Sequence, residues 1–94
     1  MYAFVEVKFL KVDLDIVRKH GADVALFYAY LKFVGKKIRK DDHGYFCFEA
    51  KYALKVLPFG VTKFKKVRKQ TVEANLIEYI HGNNQNIKPR YKLK

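Results

Sequence analysis

Lys63, Lys65, Lys66, Arg68 and Lys69 put five cations within seven residues, and no acid lies between Pro58 and Val72. Ammonium groups arranged this way do no covalent chemistry alone. They neutralise anions, and a phosphate chain rewards clustering because each phosphate neutralised releases condensed counterions. On a helix counted from Val61, Phe64, Val67 and Thr71 gather at about 300°, 240° and 280°. The opposite face collects Thr62, Lys66, Lys69 and Gln70, flanked by Lys63 and Lys65. Arg68 falls at the apolar edge and ranks below these as a contact. Lysine suits phosphate and guanine, but reads base identity less sharply than a bidentate arginine. Further along, Asn83 to Asn86 form a polar loop, and Asn84, Lys88 and Arg90 are placed to reach a backbone or minor groove. An ordinary flexible hairpin tip is an equally weighted reading of that loop.

Other chemistries find no footing. His20, His43, His81 and Cys47 do not fall at metal-ligand spacing, and Asp41-Asp42-His43 reads as a polar turn. There is no nucleophile elbow, no phosphate-binding glycine loop and no paired-carboxylate hydrolase pattern. With nine acids in 94 residues, two of them adjacent in a turn, a metal-dependent nuclease is a poor fit. The expectation is a non-enzymatic protein with no catalytic residue, metal, cofactor or small-molecule substrate.

The chain carries 20 Lys and Arg against nine Asp and Glu, a net charge of +11. Residues 1–47 hold nine basic and six acidic residues, net +3; residues 48–94 hold eleven and three, net +8. Clustering in the second half argues for a polyanion partner over a merely solvated lysine-rich surface. Hydrophobic residues make up 50% and aromatics 16%, enough for a buried core, so intrinsic disorder is not expected. The length suits a single domain over residues 1–94. A single cysteine, Cys47, allows no internal disulfide and fits a reducing setting. The start, Met1 to Glu6, lacks the basic and apolar regions of a signal peptide. The longest uncharged apolar run, Val24 to Leu31, is eight residues, far short of a membrane span. A cytoplasmic location, in the host cell if the source is viral, is expected.

The positioning elements follow from pattern. Tyr2 to Val12, rich in β-branched and aromatic residues, reads as an N-terminal strand or arm within residues 1–12. Asp13 or Asp15 caps a helical turn through Ile16 and Val17, closed by His20-Gly21. Asp23 is read as the cap of a helix from Val24 to Lys37, with Leu26, Phe27, Tyr30, Leu31 and Val34 on its core face. Lys36, Lys37, Arg39 and Lys40 suit its C-terminal dipole. Asp41 to Gly44 is a turn and Tyr45 to Phe48 a very short strand. Glu49 to Leu57 forms a helix facing inward through Tyr52, Ala53, Val56 and Leu57. Pro58-Phe59-Gly60 breaks it, and the lysine-bearing helix runs from Val61 or Thr62 to about Ala74. Asn75 tolerates the left-handed conformation that ends a helix. Leu76 to His81 and Ile87 to Leu93 form a hairpin, with Pro89 pointing to an edge position.

Strand, helix, short strand, helix, tight turn, helix and hairpin is the order of a winged helix-turn-helix. That α+β fold has a three-helix core, the helix-turn-helix here at residues 49–74 and the wing at 76–93. The chain resembles the winged-helix domains of phage and plasmid replication initiators and replisome organisers. The resemblance rests on Ala25 to Leu31, on Asp42-His43-Gly44-Tyr45-Phe46, on Leu57-Pro58-Phe59-Gly60-Val61-Thr62 and on Asn75-Leu76-Ile77-Glu78. It implies binding of double-stranded DNA as a transcriptional regulator or replication accessory of a phage or mobile element. A homodimer through the N-terminal segment is compatible with it. Two competitors stand beside it. One is a winged-helix module gripping an acidic host or viral protein. The other is a single-strand or RNA binder stacking bases on Tyr79 or Tyr91, though core packing or strand pairing is the simpler role for both tyrosines.

Overall fold

The computed structural model describes residues 10–48, 50–82 and 89–94. These form an α+β arrangement of α1 (Leu14–His20), α2 (Ala22–Lys37), α3 (Ala50–Val56), α4 (Val61–Glu73), β1 (Ile77–Ile80) and β2 (Arg90–Leu93). Within the expected N-terminal strand or arm, residues 1–9 lie outside the described residues, and residues 10–12 adopt no regular structure.

Asp13 caps α1, its carboxylate accepting the Asp15 N–H at 2.8 Å. Gly21 ends α1 and begins α2 in one step: its φ of 96° is open to glycine, and its N–H donates to the Val17 carbonyl. The expected Asp23 cap is therefore corrected. The helix starts earlier, at Ala22, with Gly21 at the cap and no side-chain hydrogen bond there. Asp23 sits in the first turn, where a carboxylate still suits the dipole. At the other end, Lys40 Nζ donates to the Gly35 carbonyl at 2.6 Å, satisfying one orphan acceptor of α2.

The core is built on α2. Phe27, Tyr30, Leu31 and Val34 are buried as their spacing predicts, whereas Leu26 is only partly covered. Val24, Ala25, Ala29 and Gly35 are buried too, because α1 and the aromatic cluster cover flanks of α2 that an amphipathic stripe leaves to water. Burying a large apolar side chain completely contributes about 1.5–3 kcal/mol. Gly35 lets the Phe46 ring lie on the helix, since a Cβ there would stand 3.2 Å from a ring carbon. Phe48 stacks on Tyr91 at 4.6 Å between centroids and meets Tyr30 edge-on at 5.9 Å.

The segment read as a short strand at Tyr45–Phe48 reduces to a single bridge. Phe46 and Tyr91 exchange both backbone hydrogen bonds at 2.8 Å. β1 and β2 pair antiparallel, with Ile77 opposite Leu93 and Tyr79 opposite Tyr91. Among the described residues the sheet has two strands, so β2 is an edge strand as Pro89 predicts, with the single Phe46 bridge on its other side at Tyr91. The proline stands one residue before the strand, where its missing N–H interrupts no ladder. Between α4 and β1 the chain turns through Asn75 at φ 63°. Leu76 N–H reaches the Thr71 carbonyl and Asn75 N–H the Val72 carbonyl, the Schellman pattern that closes a helix.

Candidate nucleic-acid interface

Core packing and the preceding turn hold α4 in place. Its inner face is Phe64, Val67 and Thr71, all buried as the wheel predicts. Phe64 meets Phe27 of α2 edge-to-face at 5.4 Å and 89°, the arrangement favoured by ring quadrupoles. Thr71 places a hydroxyl in this core without leaving it orphaned, because Oγ1 donates to the Val67 carbonyl at 2.7 Å. Before the helix, Leu57 and Phe59 are buried while Pro58 and Gly60 are exposed, so the α3–α4 turn is pinned by two apolar anchors.

With that face occupied, Thr62, Lys63, Lys65, Lys66, Lys69 and Gln70 all point to solvent. Their electrostatic states differ. Lys63 Nζ lies 3.2 Å from Asp23 Oδ2 and 5.3 Å from the centre of the Phe59 ring. Both partners of this ion pair are about half exposed, so it contributes little stability, but it makes Lys63 less available to another anion. Lys65, Lys66 and Lys69 form no ion pair among the described residues. Asp23, Thr62, Lys63, Lys66, Val67 and Gln70 together line a shallow groove between the start of α2 and α4. Sequence spacing could not show that Asp23 joins this surface, since the contact is between residues 40 positions apart.

Arg68 has a different role. Its guanidinium lies 4.2 Å from the centre of the Tyr79 ring and 5.5 Å from that of Phe64. Its NH1 donates to Tyr91 Oη at 3.4 Å, a long hydrogen bond. The arginine therefore joins α4 to both strands, in keeping with its place on the apolar edge of the wheel. Tyr91 is 1% exposed, and burial pushes its hydroxyl pKa up to about 12 despite the nearby guanidinium. A buried ring offers no platform for a base. Tyr79 is half-buried, with Arg68 against its ring and His81 Nδ1 3.1 Å from its hydroxyl.

Arg90 is exposed, but it does not join the α4 surface. Alternation along β2 turns it to the face opposite Tyr91, and its charge helps hold the Asp41 carboxyl low. The larger influence on Asp41 is the hydrogen bond from Tyr45 N–H, with His43 N–H adding to it. On the same outer face, Tyr45 Oη donates to Glu78 at 3.1 Å, which raises the phenol pKa. Asn84 and Lys88 lie outside the described residues.

Among the described residues, no group of three or more His, Cys, Asp or Glu side chains is arranged to hold a metal ion. Among them, too, no helix is long and apolar enough to cross a membrane. No protein-family model, curated protein or solved structure matches the chain.

Proposed function

We propose that the chain is a winged-helix domain that binds double-stranded DNA without catalysis, with α4 as the groove-facing helix and the β1–β2 hairpin as the wing. The observation that carries this reading is the division of α4. One face is anchored in the core by Phe64, Val67 and Thr71, and the other presents Lys65, Lys66 and Lys69 with no counter-ion among the described residues. A helix held this way cannot roll its cations inward, so they stay aimed at an anion outside. Helix-turn-helix proteins dock such a second helix in the major groove. A role as a regulator or replication accessory of a phage or mobile element rests on the sequence resemblance alone.

Lysine-dominated contacts predict salt-dependent and modestly selective binding. Three phosphates neutralised would give a slope of about −3 in log affinity against log salt. Fluorescence anisotropy with a random duplex across a salt series, with single-stranded competitor, tests the reading. Salt-dependent binding in which duplex outcompetes single strand supports it. No duplex binding even at low salt would overturn it and favour an acidic protein partner, and preference for single strand would favour the stacking alternative.

A further inference from the structure

A second group of cations lies on the far side of α2. Lys11, Lys32 and Lys36 border a depression with Leu10, Ala29 and Phe33. Counting α2 from Phe27, the residue that meets α4, puts Lys32 at about 140° and Lys36 at about 180° around the helix. The two lysines are one turn apart and directed away from α4. Lys37, at about 280° on the same count, stands beside this group on α2 with its Nζ 5.7 Å from the centre of the Phe33 ring.

All four are exposed, and none forms an ion pair among the described residues. The described acids closest in sequence to Lys11 have other partners: Asp13 caps α1 and Asp15 pairs with Arg18 at 3.2 Å. Ala29 is 5% exposed, and Leu10 and Phe33 are half-buried. What a ligand meets is a cluster of point charges, two of them one turn apart on α2, and phosphates of a nucleic-acid backbone complement it. The α2–α4 layer thus carries cations on both of its outer sides, on a body 27 Å across its narrow directions.

We infer that Lys11, Lys32, Lys36 and Lys37 form a second backbone-contacting surface, so that one copy of the chain holds two duplex segments at once. This inference rests on α4 facing DNA, and the experiment separates the two. A random duplex on beads is loaded with the chain at low salt, and capture of a second, fluorescent duplex is measured. Anisotropy on a single duplex and sedimentation of the free chain accompany it. Wild type should capture the second duplex as a monomer. Lys32→Glu with Lys36→Glu should lower capture tenfold or more, while single-duplex affinity changes less than about threefold. Lys32→Gln with Lys36→Gln should give an intermediate loss, and circular dichroism checks that both variants fold.

Single-duplex binding without capture of the second duplex would overturn this inference and leave the α4 reading intact. Capture unchanged in the glutamate variant, or confined to a dimeric fraction, also overturns it. So does tighter binding of a glutamate-rich, phenylalanine-containing peptide than of duplex at the Lys32–Lys36 surface, which would make an acidic protein the partner there. Failure of every variant and wild type to bind one duplex would overturn the α4 reading itself.

Discussion

Two faces of α4 carry the same kind of charge to different ends. On the outer face Lys65, Lys66 and Lys69 stand in water with no counter-ion among the described residues; at the hairpin junction Arg68 lies on Tyr79 and bonds Tyr91. All four fall within five residues of one helix. Where each points relative to the core decides whether it is available to a partner or helps hold two elements together. A planar, weakly hydrated guanidinium suits the junction and a strongly hydrated ammonium suits the open face. Charge density along a sequence is therefore an upper bound on the charge a surface can offer.

Perturbing the two regions separately gives effects of different size and kind. Phe64→Ala removes the anchor under both and should cost about 3–5 kcal/mol of stability, read from denaturant unfolding. Lys66→Glu with Lys69→Glu should lower duplex affinity at least 100-fold, about 2.7 kcal/mol, with the melting temperature nearly unchanged. Normal duplex binding by that pair would show that α4 is not the contact helix. Arg68→Ala should do the reverse, losing about 1–2 kcal/mol of stability through its packing and cation–π contact while duplex affinity of the folded protein falls only slightly. An affinity loss as large as that of the lysine pair would erase the distinction between the regions.

The remaining two effects are smaller. Asp23→Asn frees Lys63 and removes a negative charge from the groove, so duplex binding should tighten by a few-fold, less than about 1 kcal/mol. Unchanged affinity would mean that Lys63 contributes nothing to the contact. Titration of the Tyr91 hydroxyl should give stability no pH dependence near neutrality. Its folded pKa of about 12 lies above the ordinary value of 10.0, so the folded state binds more protons between the two. Stability from this group is fully present below pH 10 and is lost as pH rises towards 12, which absorbance-detected tyrosine titration and alkaline unfolding would track. A Tyr91 that ionises near pH 10 would mean an open hairpin junction.

Much of this architecture could be read along the chain, because it depends on local periodicity and punctuation. The spacing of Phe64, Val67 and Thr71 fixed which side of α4 is buried, Asn75 marked its end, and Leu57 to Gly60 marked its start. The same periodicity sets Arg68 apart from the lysines. Local rules failed where long-range contacts overrode them. Asp23 looked like a helix cap and proved to be a counter-ion of Lys63; Tyr45 to Phe48 looked like a strand and proved to be one bridge beside an aromatic stack.

The placement of the helices and the hairpin, the buried face of α4 and the overall excess of positive charge follow from the residues themselves, since 100° per residue and turn chemistry act within a few positions. Which cations remain free was decided only by the fold. Ion pairs, cation–π contacts and the two opposed basic sides of the α2–α4 layer arise between residues distant in sequence, and packing alone brings those together or keeps them apart.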